Sequence, residues 1–183
     1  MYRGCAHTSK GWFMVKLLVT LALAAALPAS AQHHQHGNTY AGMQTRDIKA
    51  LSDDQLTALR EGRGMGASLA AELNGVPGPM HVLQLRDQLQ VTAAQRASLE
   101  GIVAAMKTSA QRLGEQVIDS ERELDHAFRS GQADEAGIRA LSARLGALNA
   151  ELRATHLVAH LQTRQVLSVA QVQAYNQARG YTN

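Results

Sequence analysis

Two histidines, His156 and His160, are the residues whose types and spacing point most directly to chemistry. They are four positions apart, so on a helix both imidazoles project from one face and can share a metal ion. The HExxH motif of zinc proteases needs a glutamate directly after the first histidine, and that position is Leu157. The pair therefore indicates either two metal ligands or two half-buried histidines that bridge helices by hydrogen bonds.

Two ligands are too few for a tight site, so the others would have to come from elsewhere in the chain or from a second subunit. One candidate set is His33, His34 and His36, which is equally consistent with a solvated tail. Further candidates are Met65, Met80 and His81. Core packing is the simpler expectation for the two methionines. Thioether ligands would favour copper, whereas imidazoles alone would favour zinc, nickel or cobalt. No cofactor is expected to be required, and a bound metal would be a divalent transition metal or copper.

Groups for hydrolytic or nucleophilic catalysis are not assembled in the sequence. The acidic residues Glu121, Glu123 and Asp125, together with Arg122 and Arg129, predict a solvated helix face supported by i, i+4 ion pairs. A carboxylate pair for hydrolysis needs a pocket, which a thin helical hairpin is not expected to offer. The only cysteine, Cys5, lies in a segment that we expect to be removed. The sequence therefore predicts a protein that is not an enzyme.

Residues 1–31 predict a signal peptide, and Met14 is a candidate for the true start. The apolar run from Val15 to Leu27 is too short for a permanent span, which needs about 20 apolar residues. Small residues in Ala29-Ser30-Ala31 fit a signal-peptidase site. The protein is therefore expected to be periplasmic and to have no permanent membrane span.

The charge balance changes when the predicted leader is removed. The whole chain has 18 Lys and Arg residues against 15 Asp and Glu residues. Arg3, Lys10 and Lys16 lie in the leader and no acidic residue does, so 15 basic residues would balance 15 acidic residues in the mature chain. A neutral chain gives no argument for nucleic-acid binding, because phosphate contacts need a surplus of Lys and Arg.

Hydrophobic periodicity predicts an all-α protein built on a long antiparallel helical hairpin. Apolar residues recur at three- and four-residue steps from Leu99 to Phe128 and again from Ile138 to Ala159. Because a short link joins the two patterns, the helices must run antiparallel. Short helices are expected before the hairpin and after it. Residues 32–50 predict a flexible histidine-containing tail and residues 51–183 a single helical-hairpin domain.

Three capping boxes mark the starts of predicted helices. In each box a Ser or Thr hydroxyl accepts a free backbone N–H, and a Gln three residues later reaches back to the capping residue. The boxes begin at Ser52, Thr92 and Ser168. The last two are preceded by an apolar residue and read Val91-Thr92-Ala93-Ala94-Gln95 and Leu167-Ser168-Val169-Ala170-Gln171.

These two segments resemble the paired LTxxQ motifs of the Spy/CpxP family of periplasmic proteins, which is related to the ZraP and CnrX heavy-metal-resistance group. The first copy has Val91 in place of Leu and the second has Ser168 in place of Thr. The resemblance covers about Leu89 to Arg179. It implies a curved helical-hairpin subunit that forms a homodimer with a concave face.

The resemblance implies three roles. Spy-like members are ATP-independent chaperones for unfolded periplasmic proteins, CpxP-like members also tune an envelope-stress sensor, and CnrX-like members sense metal. The apolar residues Leu157, Val158 and Leu161 lie off the seam and predict a client or dimer surface. The leading hypothesis is therefore a chaperone or adaptor of envelope or heavy-metal stress. The alternative is a heavy-metal sensor or metal-buffering protein that uses the histidines.

Overall fold

The computed structural model describes residues 40–181, and within this range the chain is helical without β-strands. The elements are a 3₁₀ helix (Met43–Thr45), α1 (Asp53–Glu61), α2 (Leu69–Glu72), α3 (Pro79–Gln84), α4 (Ala93–Arg129), α5 (Glu135–Val166) and α6 (Val169–Arg179). The all-α prediction is confirmed. No helix between residues 40 and 181 is long and apolar enough to cross a membrane. The predicted leader and the tail histidines His33, His34 and His36 lie outside the described residues.

The long helices α4 and α5 form the predicted antiparallel hairpin. They contain 37 and 32 residues, which corresponds to about 55 Å and about 48 Å of helix at 1.5 Å per residue. Asp134 begins α5 by accepting a hydrogen bond from the backbone N–H of Gly137 at 2.7 Å. The buried seam consists of Leu99, Ala110, Leu113 and Val117 on α4 with Leu145, Leu152 and Ala159 on α5.

The buried core differs from the predicted one in two places. Phe128 was expected in the seam but is 63% exposed, because it lies in the last turn of α4, where only the first turn of α5 is opposite. Ile48 lies in the segment that was predicted to be a flexible tail, yet it is buried. It packs with Leu51 and Leu59 against Leu113, Val117 and Leu145 of the hairpin. This cluster, which we call the first core, therefore begins before residue 51.

Helix α1 lies unusually close to α4. Its capping box is complete, with Ser52 and Gln55 bonded reciprocally. At the crossing point, a Cβ atom on Gly114 would overlap the carbonyl oxygen of Leu59 and lie 2.8 Å from its carbonyl carbon. The absence of a side chain at Gly114 therefore permits this contact between the two backbones.

A second core lies at the open end of the hairpin, where the start of α4, the end of α5, α3 and α6 meet. Its fully buried members are Val82, Leu89, Leu99, Leu167 and Tyr175. Helix α3 ends at Gln84, and the following residues form turns. These turns bring the chain back to the first residue of α4.

Candidate functional site

The glutamines of the two LTxxQ-like motifs, Gln95 and Gln171, are hydrogen-bonded to each other in the second core. The side-chain NH₂ of Gln95 donates to Oε1 of Gln171 at 2.8 Å, and the side-chain NH₂ of Gln171 donates to Oε1 of Gln95 at 3.0 Å. Each Oε1 also accepts the backbone N–H of its own capping residue, Thr92 or Ser168. We call this pair the glutamine clasp.

The remaining donors of the glutamine clasp fasten two further segments. Gln95 donates to the carbonyl oxygen of Val166 at the end of α5, at 2.9 Å. Gln171 donates to the carbonyl oxygen of Leu89, at 3.2 Å. Each carboxamide thus uses both acceptor positions and both donors, which leaves no unsatisfied group in a half-buried site.

The same motif pattern occurs a third time without a clasp. Leu51 and Ser52 are followed by Gln55, whose side chain caps the backbone N–H of Ser52 at 2.9 Å. Gln55 therefore contributes only a helix cap, and comparison with Gln95 shows how much the hydrogen bonds between the two motifs add to stability.

We expect Gln95→Glu to lower the free energy of unfolding by about 2 kcal/mol at pH 7. A carboxylate can still accept from Thr92, but it cannot donate to Gln171 or to Val166, and buried acceptors are left facing each other. The matched control is Gln55→Glu, which should be neutral or slightly stabilising because an acid is favourable in the first turn of a helix. Urea unfolding of both variants measures the difference, and equal stabilities would show that Gln95 is only a cap.

A buried carboxylate, Glu72, organises the other side of this end of the molecule. Glu72 is 5% exposed, and its Oε1 accepts a short hydrogen bond from the hydroxyl of Tyr175. Burial and the bond to Glu72 raise the pKa of Tyr175 well above its usual value, so the hydroxyl stays protonated as a donor. Other groups around Oε1 are His81 Nδ1 at 3.2 Å, Tyr181 Oη at 3.3 Å and Arg179 Nε at 3.4 Å.

His160 is held in a defined orientation by the segment between α2 and α3. Its Nδ1 lies 2.8 Å from the carbonyl oxygen of Val76. A carbonyl can only accept, so Nδ1 carries the hydrogen of this bond, and Nε2 is the ring nitrogen left for another partner. A Cβ atom on Gly78 would lie 2.9 Å from Cε1 and 3.0 Å from Nε2 of this ring, so the absence of a side chain at Gly78 permits the ring to pack closely against the segment before α3. His160 thus does bridge two elements by a hydrogen bond.

His156 is in a different situation from His160. It is 4% exposed, and its Nε2 is buried without a hydrogen-bond partner among residues 40–181. Burial, and secondarily the neighbouring His160, lower the pKa of His156, so its imidazole is neutral at pH 7. Its Nδ1 would lie 3.4 Å from a Cβ atom on Gly64, which again places a glycine against the ring.

Both histidines line a cavity of about 640 Å³ between the 61–81 segment and the hairpin. The potential metal ligands in its wall are His81, His156, His160, Met65, Met80, Met106 and the carboxylates of Glu61 and Glu72. A thin hairpin was expected to offer no pocket, and that expectation is wrong because the chain before α4 folds over one side of the hairpin. Among residues 40–181, no three His, Cys, Asp or Glu side chains converge closely enough to hold a metal ion.

Two of the three methionines of this cavity do not fill the core as expected. Met65 and Met80 are each 53% exposed, although both line the cavity. Met65 also has a φ of 43°, a left-handed conformation that costs about 1–2 kcal/mol for a residue with a side chain. The next residue, Gly66, has a φ of 81° without this cost, so the strain in this loop lies at Met65.

The predicted client or dimer surface lies on α5. Val158 is 48% and Leu161 54% exposed, whereas Leu157 is half-buried. Toward the start of α5 they are continued at three- and four-residue steps by exposed alanines. The outer face of α5, as we call it, consists of Ala140, Ala143, Ala147, Ala150, Ala154, Val158 and Leu161. It is about 32 Å long and has no charged residue in it.

The acidic face of α4 is held by ion pairs. Glu123 pairs with Arg144 of α5 at 2.9 Å, and both side chains are about half exposed. Asp125 pairs with Arg129 at 3.2 Å, but its carboxylate is largely buried, which a solvated face would not predict. No part of this arrangement brings a nucleophile to a base.

The fold and the glutamine clasp define a class of protein: an all-helical hairpin whose open end is locked by two capping motifs far apart in sequence. Residues 78–179, more than half of the chain, match the family described as LTXXQ motif family protein, and the chain belongs to this family. No curated protein and no solved structure matches the chain. The resemblance noted in the sequence is thereby confirmed. The family comprises Spy/CpxP-like proteins that are generally periplasmic and typically not enzymes.

Proposed function

We propose that this protein is a periplasmic stress chaperone or adaptor that holds unfolded proteins, without ATP, on the outer face of α5. The observation that supports this proposal is the combination of length, exposure and lack of charge on that face. A helix that is apolar on both sides is normally covered by another molecule, because contiguous exposed apolar surface is rare on monomers.

The composition of the outer face suits many different clients. Alanines such as Ala147, Ala150 and Ala154 give a shallow surface that a chain of any sequence can approach closely. Val158 and Leu161 at one end are larger and exposed, so they can bury more apolar surface against Val, Leu or Phe residues of an unfolded protein. Such binding is weak at each contact and does not need ATP for release.

The first test of this proposal is suppression of client aggregation, measured by light scattering with a few-fold excess of purified protein. We expect the double variant Val158→Glu/Leu161→Glu to lose most of the suppression, because buried charges oppose apolar contacts. The matched control Ser142→Glu/Gln162→Glu adds the same charge at exposed polar positions of α5 and should keep it.

Two outcomes would contradict the proposal. Wild-type protein that leaves aggregation unchanged would remove the chaperone function. A double variant that suppresses aggregation fully, but sediments as a smaller species than wild type, would assign the outer face to a homodimer instead. An envelope-stress sensor as partner would be tested on the same pair of variants by co-purification.

A second candidate function is heavy-metal sensing or buffering. It is favoured by the presence of three histidines and three methionines in the lining of one cavity. A metal that binds only the folded protein raises its melting temperature by mass action, so thermal unfolding with added metal is the direct measurement.

A further inference from the structure

We propose that the cavity between the 61–81 segment and the hairpin is a copper(I) site, with His156 and His160 as imidazole ligands and Met65 and Met80 as thioether ligands. This inference rests on the second candidate function and names its metal and its ligands. This ligand set needs neither the tail histidines nor a second subunit, the other two sources of ligands considered from the sequence.

The orientation of His160 is that of a metal ligand. Metal-binding histidines commonly donate one ring N–H to a carbonyl or carboxylate, which fixes the ring and directs the other nitrogen to the metal. His160 has this arrangement, with Nδ1 on the carbonyl oxygen of Val76 at 2.8 Å. A Cβ atom on Gly78 would lie 2.9 Å from Cε1 and 3.0 Å from Nε2, so a side chain at that position would crowd the nitrogen that is left for a metal.

His156 supplies a buried polar group without a partner. Its Nε2 has no hydrogen bond within residues 40–181, although buried nitrogen atoms nearly always have one. His156 and His160 are one helical turn apart on α5 and line the same cavity. A metal ion bound between their rings would account for a nitrogen that is otherwise unsatisfied.

Met65 and Met80 are placed as ligands rather than as core residues. Both line the cavity while half of each side chain remains accessible. Met65 keeps a left-handed backbone between two glycines, and a backbone strained in this way is typical of functional positions. Gly64 on one side of Met65 lies against the ring of His156, so the strained loop is directly next to the first imidazole.

The donor set selects the metal. Thioether ligands favour copper(I), whereas zinc sites are completed by further nitrogen, thiolate or carboxylate ligands. Residues 40–181 contain no group of three His, Cys, Asp or Glu side chains that could form such a site. The carboxylate of Glu72, with Oε2 3.8 Å from Nδ1 of His160, supplies a nearby negative charge for a bound cation.

The test is a competition titration of copper(I) against a chromophoric copper(I) chelator, under anaerobic reducing conditions. The whole chain is used with Cys5→Ser, so that no thiol is present. We expect one copper(I) per chain. His156→Gln/His160→Gln should weaken binding by more than about 100-fold, since loss of a group that only orients a ligand already costs about 10- to 100-fold.

The thioether ligands are tested by Met65→Leu/Met80→Leu, which conserves side-chain volume and therefore the fold. We expect at least about tenfold weaker copper(I) binding, and X-ray absorption of the wild-type complex should show sulfur scatterers that this variant lacks. Met43→Leu and His126→Gln, outside the cavity, are matched controls that should bind as wild type. Unchanged urea unfolding of the metal-free variants checks that each one is folded.

Each contrary result has a distinct meaning. Copper(I) binding that survives Met65→Leu/Met80→Leu, or that is lost in the tail variant His33→Ala/His34→Ala/His36→Ala, overturns this site. Binding of zinc, nickel or cobalt without copper(I) overturns the choice of metal and leaves the second candidate function standing. Absence of binding by all four metals removes both, while suppression of client aggregation is unaffected.

Discussion

Gly114→Ala is expected to destabilise the protein by about 3 kcal/mol, at the upper end of the cost of overpacking a core. The added Cβ would overlap the carbonyl oxygen of Leu59, which belongs to the α1 backbone and cannot rotate away as a side chain could. Helix α1 must therefore move off α4, and the contacts of Leu59 and Ile48 in the first core are weakened. Urea unfolding gives the loss of stability.

The controls for Gly114 lie in the two long helices, α4 and α5. Gly101 on α4 and Gly146 on α5 have no atom within 4 Å of an added Cβ. Alanine at either position should raise stability by about 0.5–1 kcal/mol, because glycine is unfavourable in a helix interior. Hydrogen exchange should locate the effect of Gly114→Ala in α1. If Gly114→Ala behaved like Gly101→Ala, the close contact between α1 and α4 would be wrong.

Glu72→Ala is expected to cost about 3 kcal/mol, because it removes the acceptor of a fully buried hydroxyl and leaves a cavity. Tyr175 would be left without its principal partner, and His81 and Arg179 would lose the carboxylate that they face. Tyr175→Phe should cost less, about 1–3 kcal/mol, since the carboxylate keeps its other neighbours. Equilibrium unfolding of the single and double variants measures both effects and their coupling.

A double-mutant cycle shows whether Glu72 and Tyr175 stabilise the protein through their shared hydrogen bond or independently of each other. The double variant should be less destabilised than the sum of the single variants, because each single change already breaks the shared hydrogen bond. The matched control is Glu100→Ala, an exposed glutamate paired with Arg96, which should change stability by no more than about 0.5 kcal/mol. Strict additivity would show that the hydrogen bond contributes nothing to stability.

The two cores of the protein are stabilised by different kinds of contact. The first core depends on the close approach of α1 at Gly114, whereas the second depends on the glutamine clasp and on the buried carboxylate of Glu72. The proposed copper(I) site lies next to Glu72 and shares His160 with its surroundings. Client binding is proposed for the outer face of α5, on the side of that helix away from the seam, so the two proposals can be tested independently.

The amino-acid sequence by itself determined the class of the fold. Apolar residues at helical spacing gave the two long helices and their antiparallel pairing, and the capping boxes gave the starts of α1, α4 and α6. These signals are local, because each depends on residues within a few turns of one helix. The paired motifs at Thr92 and Ser168 also indicated the family, and the surplus apolar residues on α5 indicated its exposed face.

Only the tertiary structure decided which distant residues meet. Gln95 and Gln171 are 76 positions apart, and their capping pattern is the same as that of Gln55, which makes no clasp. Met65 and His156 share a cavity because the segment before α4 folds back over the hairpin. Such contacts depend on how helices cross and on their relative register. Hydrophobic periodicity sets neither of these, since it shows which face of a helix is buried but not what covers that face.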